Sequence, residues 1–130
     1  MAKRVLIIED EATQVLLLKS RLQEHGFEVS TAMSGEEGLE KAVAERPDVV
    51  LLDIILPRMS GVEVSQRLEE LPETKEIPVI LVTASRIKDL EERCKTFGAD
   101  DCLIKPYTVP ELLEKISRVL SSSAAGERQA

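Results

Sequence analysis

Five polar side chains stand at the ends of apolar runs, and their types belong to one kind of chemistry. Glu9 and Asp10 follow "VLII", Asp53 follows "VVLL", Thr83 follows "VILV", and Lys105 follows "CLI". Carboxylates are hard oxygen donors of the kind Mg2+ or Mn2+ takes, commonly one or two of them with water, a carbonyl or a phosphate oxygen completing the shell. Clustered without a cation they repel one another, and some of them tend to hold a proton. A lysine ammonium and a threonine hydroxyl add little to a bare carboxylate cluster but suit phosphoryl oxygens well. A carboxylate nucleophile, a divalent cation, a lysine and a hydroxyl form a set for phosphoryl transfer, in which catalysis is mostly positioning and charge neutralisation. The product would be an aspartyl phosphate on Asp53.

These residues can meet only if the elements between them bring the run ends together. Five short runs rich in Val, Ile and Leu read as strands: Arg4 to Asp10, Phe27 to Ala32, Asp48 to Asp53, Ile77 to Ala84, and Asp101 to Lys105. Three are apolar on both faces, which predicts a parallel sheet covered by helices on each side. Helical patterns fill the gaps. Val15, Leu18 and Leu22 share one face of a stretch closing at Gly26; further helices begin at Ser34, Ser60 and Ser85 and close before Pro47, at Pro72 and at Gly98. A last one begins at Thr108, two residues before Pro110. Strict alternation of five strands and five helices predicts an α/β fold with an open, doubly wound parallel sheet rather than a barrel. Ligands of such sheets sit beyond the carboxyl ends of the strands, where the winding reverses. All five polar residues fall there.

The chain has 130 residues, 43% of them hydrophobic, which suits one domain with its own core. The formal net charge of -7 argues against nucleic acid or an anionic membrane as a direct partner. Its two cysteines, Cys94 and Cys102, form no CxxC and no Cys/His cluster, so reduced thiols of a cytoplasmic protein are expected. Near the N-terminus only four apolar residues precede acids, too few for a signal peptide or a membrane span. Residues 121–130, "SSSAAGERQA", are small and polar and are expected to be a disordered tail or the start of a linker after a domain of residues 1–120.

Taken singly, each residue has an ordinary reading. Asp53 could be a turn carboxylate, Thr83 a β-branched strand residue and Lys105-Pro106 a surface turn. Glu11 reads as a first-turn carboxylate favoured by the helix dipole, and His25 as a cap of helix carbonyls beside Gly26. Cys102 reads as a packing residue, with a redox-sensitive thiol as the lesser reading. It is the joint occurrence at strand ends that favours a site.

"VLIIEDE", "PDVVLLDIILPRMSG", "IPVILVTA" and "GADDCLIKPY", in this order and at this spacing, resemble the receiver domains of two-component response regulators over about residues 3 to 120. The resemblance implies a flavodoxin-like three-layer α/β/α fold with strand order 2-1-3-4-5. It also implies that Asp53 accepts a phosphoryl group from a phosphohistidine on a sensor histidine kinase or a phosphotransfer protein. Asp10 and Asp53 would hold Mg2+ (or Mn2+) with the Ile55 carbonyl, and Glu9 would assist through water. Lys105, the Thr83 hydroxyl and the Ala84 amide would bind phosphoryl oxygens. The Lys105-Pro106 peptide would be cis, with Pro106 the rare-geometry residue. In the family, Thr83 is coupled to an aromatic residue three positions before the lysine, whose turning reshapes the surface of residues 86–107 and the last helix for a downstream protein. Here that position is Cys102, and a thiol cannot fill the space of a ring.

The resulting expectation is a phosphorylation-dependent signalling module, monomeric or weakly dimeric, that catalyses only its own phosphorylation and slow dephosphorylation. The chain ends about ten residues after the last helix pattern, so a stand-alone receiver is expected, with a fragment of a larger regulator or hybrid kinase as the alternative. An aspartyl-phosphate phosphohydrolase would want an acid two residues after its nucleophile, where this chain has Ile55. A receiver that has lost phosphorylation is disfavoured by the intact acids, Thr83 and Lys105. A flavin or nucleotide site would want a glycine- or hydroxyl-rich loop where "IEDEATQ" stands.

Overall fold

Alternating apolar residues give the strands two buried faces. In the computed structural model, which describes residues 2–84 and 89–129, β1 (Arg4–Ile8), β2 (Glu28–Ala32), β3 (Val49–Asp53), β4 (Val79–Thr83) and β5 (Asp101–Ile104) form one parallel sheet in the order β2-β1-β3-β4-β5. Helices α1 (Ala12–Glu24), α2 (Gly35–Glu45), α3 (Gly61–Glu70), α4 (Leu90–Thr96) and α5 (Val109–Gln129) make the crossovers. Leu6, Ile8, Val50, Leu52 and Leu81 face one core with Val64 and Leu68 of α3. Val5, Ile7, Val49, Leu51 and Ile80 face the other with Leu22 of α1 and Leu112 and Ile116 of α5. Full burial of each such side chain stabilises by about 1.5–3 kcal/mol, so the three inner strands anchor both layers.

Caps set where the helices begin. The hydroxyls of Ser34, Ser60 and Thr108 accept hydrogen bonds from the amides of Glu37 (3.1 Å), Glu63 (3.3 Å) and Glu111 (3.2 Å), using donors a helix N-terminus leaves over. Gly26 (φ 87°) and Gly98 (φ 80°) supply the left-handed residues after α1 and α4. His25 caps α1, its Nδ1 lying 2.9 Å from the Arg21 carbonyl oxygen.

Two local readings differ from the structure, and a third falls partly outside the described residues. Glu11 is the N-cap of α1 rather than a first-turn residue, because its backbone is still extended. The α4 pattern starting at Ser85 is helical from Leu90, and residues 85–88 lie outside the described ones. Helix α5 continues to Gln129, into the stretch that composition assigned to a tail; alanine, glutamate and arginine there are good helix formers.

The expectation of two reduced thiols is corrected: Cys94 on α4 and Cys102 on β5 are joined in a disulfide, with their Cα atoms 6.1 Å apart. The chain reverses at Gly98 between helix and strand, which brings residues eight apart face to face across two layers. Rules on cysteine spacing describe motifs within one turn or loop and do not detect such a pairing.

Candidate functional site

Because β1 and β3 are neighbours with Ile8 opposite Leu52, the next residues, Glu9 and Asp53, leave the sheet side by side. This is where the strand order reverses, the crevice expected of an open α/β sheet. β4 lies on the far side of β3, with Asp53 opposite Val82. After β5 the Lys105 amide donates to the Thr83 carbonyl (2.8 Å), and the Lys105-Pro106 peptide is cis. The Lys105 side chain crosses back over the strand ends. Its Nζ donates to Glu9 Oε1 (3.0 Å), Asp53 Oδ2 (3.1 Å) and Gln14 Oε1 (2.6 Å).

Backbone groups fix the two acids. The Ile55 amide donates to Asp53 Oδ1 (3.0 Å), and the Asp10 amide donates to Glu9 Oε2 (3.0 Å). The Ile54 carbonyl accepts from the Gly61 amide (2.7 Å), which binds the end of β3 to the start of α3. Gly61 is required there for space, since a Cβ would fall onto the Asp53 carbonyl oxygen and the Ile54 Cα.

The charges do not balance. The Glu9 and Asp53 side chains are only 9% and 13% exposed and share one ammonium, itself 22% exposed. Burial, followed by the hydrogen bond and charge of Asp53, pushes the Glu9 carboxyl up to about 7, against the pull of Lys105. Burial works to lower the Lys105 pKa, but the hydrogen bonds and charges of Glu9 and Asp53 outweigh it and hold it above the usual lysine value. Burial likewise raises the Tyr107 phenol, which lines the same cleft.

A carboxyl with a raised pKa binds more protons folded than unfolded. Its contribution therefore falls as pH rises from about 4.5 towards 7. Denaturant unfolding in chelator should show stability declining across that window, and Glu9→Gln should flatten the decline. An unchanged slope in Glu9→Gln would show that the proton is held elsewhere.

The structure brings Glu9, Asp53 and Lys105 into one network. Thr83 is fully buried at the end of β4 beside it, while Asp10, Ala84 and Ile55 stand exposed at the rim, Ile55 at 62%. Cys102 lies on β5 opposite Leu81, whereas Thr83 is opposite Ile104, so the two switch candidates are diagonal neighbours. Gln14 was not foreseen. Its amide nitrogen donates to Glu11 Oε2 (2.7 Å) while its oxygen accepts from Lys105, which links the start of α1 to the cleft. A polar residue one turn after the acids was its only trace in the sequence.

A divalent cation fits these residues by its chemistry. Two buried carboxyls are under-neutralised by a single ammonium, with a third carboxylate and a backbone carbonyl at the rim. Among the described residues no three acidic, histidine or cysteine side chains already surround one point. A bound ion would thus draw on two carboxylates, a carbonyl and water, the usual pattern for Mg2+.

Comparison with known proteins gives a consistent picture. The Response regulator receiver domain family matches residues 5–117. The chain is 37% identical over 123 residues to the polar-differentiation response regulator DivK of Brucella anthropi, covering 95% of this chain and 100% of DivK. It is 36% identical to the phosphate regulon transcriptional regulatory protein PhoB of Rhizobium meliloti, of which it spans 53%. Among solved structures, the response regulator TrrA of Thermotoga maritima, in complex with Mg2+-BeF, superposes with a TM-score of 0.79 at 36% identity, over 90% of this chain and 98% of that one. The chemotaxis protein CheY4 of Vibrio cholerae does so with a TM-score of 0.84 at 30% identity, over 92% and 99%.

Proposed function

Because the chain belongs to the response regulator receiver domain family, and so to the phosphorylation-dependent signalling modules of two-component systems, we propose that Asp53 is its phosphoacceptor. The observation that carries this reading is the Lys105 ammonium bound at once to Asp53 and Glu9 at the carboxyl ends of three strands. Asp53 Oδ2 attacks the phosphorus of a phosphohistidine on a sensor histidine kinase or phosphotransfer protein. The P–N bond breaks as the P–O bond forms, its electron pair stays on the ring nitrogen, and the imidazole leaves neutral, keeping the proton already carried on its other ring nitrogen. Lys105 turns from the carboxylates to a phosphoryl oxygen, and the Thr83 hydroxyl and Ala84 amide bind others.

Asp10, Asp53 and the Ile55 carbonyl would hold Mg2+, with Glu9 assisting through water. When bound, the ion neutralises the carboxylates and the incoming phosphoryl oxygens. TrrA, similar at 36% identity, was solved with Mg2+-BeF, which supports the choice of Mg2+ as the ion. The message would pass to a protein partner through residues 86–107 and α5, with residues 1–120 as the working unit. No helix among the described residues is long and apolar enough to cross a membrane, which suits a place in the cytoplasm.

Incubation with a small phosphodonor and Mg2+ followed by intact-mass measurement tests the reading. One added phosphoryl group, mapped to Asp53 and lost in chelator, is expected. Labelling on another residue, or labelling indifferent to chelator, would sink the site assignment.

A further inference from the structure

Cys94 and Cys102 are the chain's only cysteines, and neither takes part in the phosphoryl site. Their Cα separation of 6.1 Å lies in the range a disulfide bridges without moving the backbone. Both are buried, at 4% and 6% exposed, in the core that also holds Leu81, Leu90 and Ala99. Leu90, Cys94 and Phe97 follow one another at helical spacing and pack on that core, so Cys94 stands at the centre of the stripe by which α4 is seated. Asp89 begins α4 without a side-chain cap bond, which leaves this short helix dependent on that stripe and on the bridge. Cys102 is the β5 residue diagonal to Thr83.

We infer that Cys94 and Cys102 form a reversible redox site, whose disulfide ties α4 to β5 and restrains the phosphorylation-linked rearrangement of that surface. The restraint rests on Asp53 being the phosphoacceptor; formation of the bond does not. A hydroperoxide is the oxidant. One thiolate attacks a peroxide oxygen, breaking the O–O bond and giving a sulfenic acid and, with hydrogen peroxide, a hydroxide that takes up the proton the thiol lost and becomes water. The second thiolate attacks the sulfenyl sulfur, forming the S–S bond and expelling a hydroxide that takes up the second thiol's proton as a second water. Two thiols and one hydrogen peroxide thus give one disulfide and two waters, with two electrons passing from sulfur to oxygen. A dithiol reverses the step by thiol–disulfide exchange and is itself oxidised to its disulfide. Because the bridge spans the helix that must shift and the strand it must shift against, the disulfide form keeps one arrangement while the dithiol form can take two.

The test treats the reduced full chain with hydrogen peroxide, alkylates free thiols under denaturing conditions, and maps the peptides. Loss of both alkylation sites, a Cys94–Cys102 link and recovery in dithiothreitol are expected. Thiols that remain alkylatable, or that end only as sulfinic acids or as links between molecules, overturn the site. Amide exchange over residues 90–104 is then compared with and without acetyl phosphate and Mg2+. The phosphodonor-induced change should be roughly threefold or more smaller in the disulfide form, and Cys94→Ser and Cys94→Ala should respond like the reduced chain whatever the oxidant. Equal changes in both forms, including none in either, overturn the restraint. The mass gain of one phosphoryl group is read in each sample, so a failure of Asp53 as acceptor is told apart from a failure of the redox site.

Discussion

Replacing Asp53 by asparagine is expected to lower uptake of a phosphoryl group from small donors by about a hundredfold or more, because an amide oxygen is a far poorer nucleophile than a carboxylate. The fold survives the change. Asp53 holds no core position, and the amide that replaces it keeps an oxygen for the Ile55 N–H at Oδ1. What does change is Glu9. Its raised pKa comes first from burial and next from the hydrogen bond and charge of Asp53, so a neutral neighbour leaves Glu9 closer to an ordinary carboxyl and more fully paired with Lys105. Carboxyl titration followed by NMR should show Glu9 moving down in Asp53→Asn, and the intact mass should show no phosphoryl gain. Retained labelling, or a Glu9 titration that does not move, would contradict the coupling described above.

Gly61→Ala is expected to be the most damaging small substitution near the site. The added methyl group meets the Asp53 carbonyl oxygen and the Ile54 Cα, which are backbone atoms with no rotamer to escape into. The β3–α3 connection must open, which strains the 2.7 Å bond from the Gly61 amide to the Ile54 carbonyl and shifts the carboxylate carried one residue earlier. Overpacking of this kind costs on the order of 1–3 kcal/mol. Urea unfolding should show a loss of that size, with phosphorylation slowed as well. A midpoint equal to that of the unchanged chain would mean the loop has slack that the geometry does not suggest.

Much of this was legible because it depends on local pattern. Double-sided apolar runs such as "VVLLD" define a parallel core strand, and helices capped by Ser34, Ser60 and Thr108 fix the crossovers, so the ends of β1, β3, β4 and β5 fall on one side. The meeting of Glu9, Asp53 and Lys105 then follows from topology. What was not legible depends on contacts between elements. The Gln14 amide reaches Lys105 only because α1 starts over the cleft, and nothing in an exposed glutamine at a first helical turn announces that. The Cys94–Cys102 pair depends on how tightly the chain reverses at Gly98. The length of α5 past Leu120 escaped the sequence because "SSSAAGERQA" carries no apolar period for a helix pattern to mark.

The parallel register has one more consequence, for how the molecule comes to exist. Val5 pairs with Val49, and Lys105 meets Asp53 from 52 positions away. Every strand pairing must close a loop that includes a whole helix, so no segment of the chain can assemble the acids and the lysine ahead of the rest. High contact order of this kind slows folding relative to helical domains of equal size. With Asp53 as the proposed acceptor, acquisition of a phosphoryl group would report completed folding: a nascent or proteolytically nicked chain lacking β5 has the aspartate but not the lysine, and is expected to stay silent to its donor.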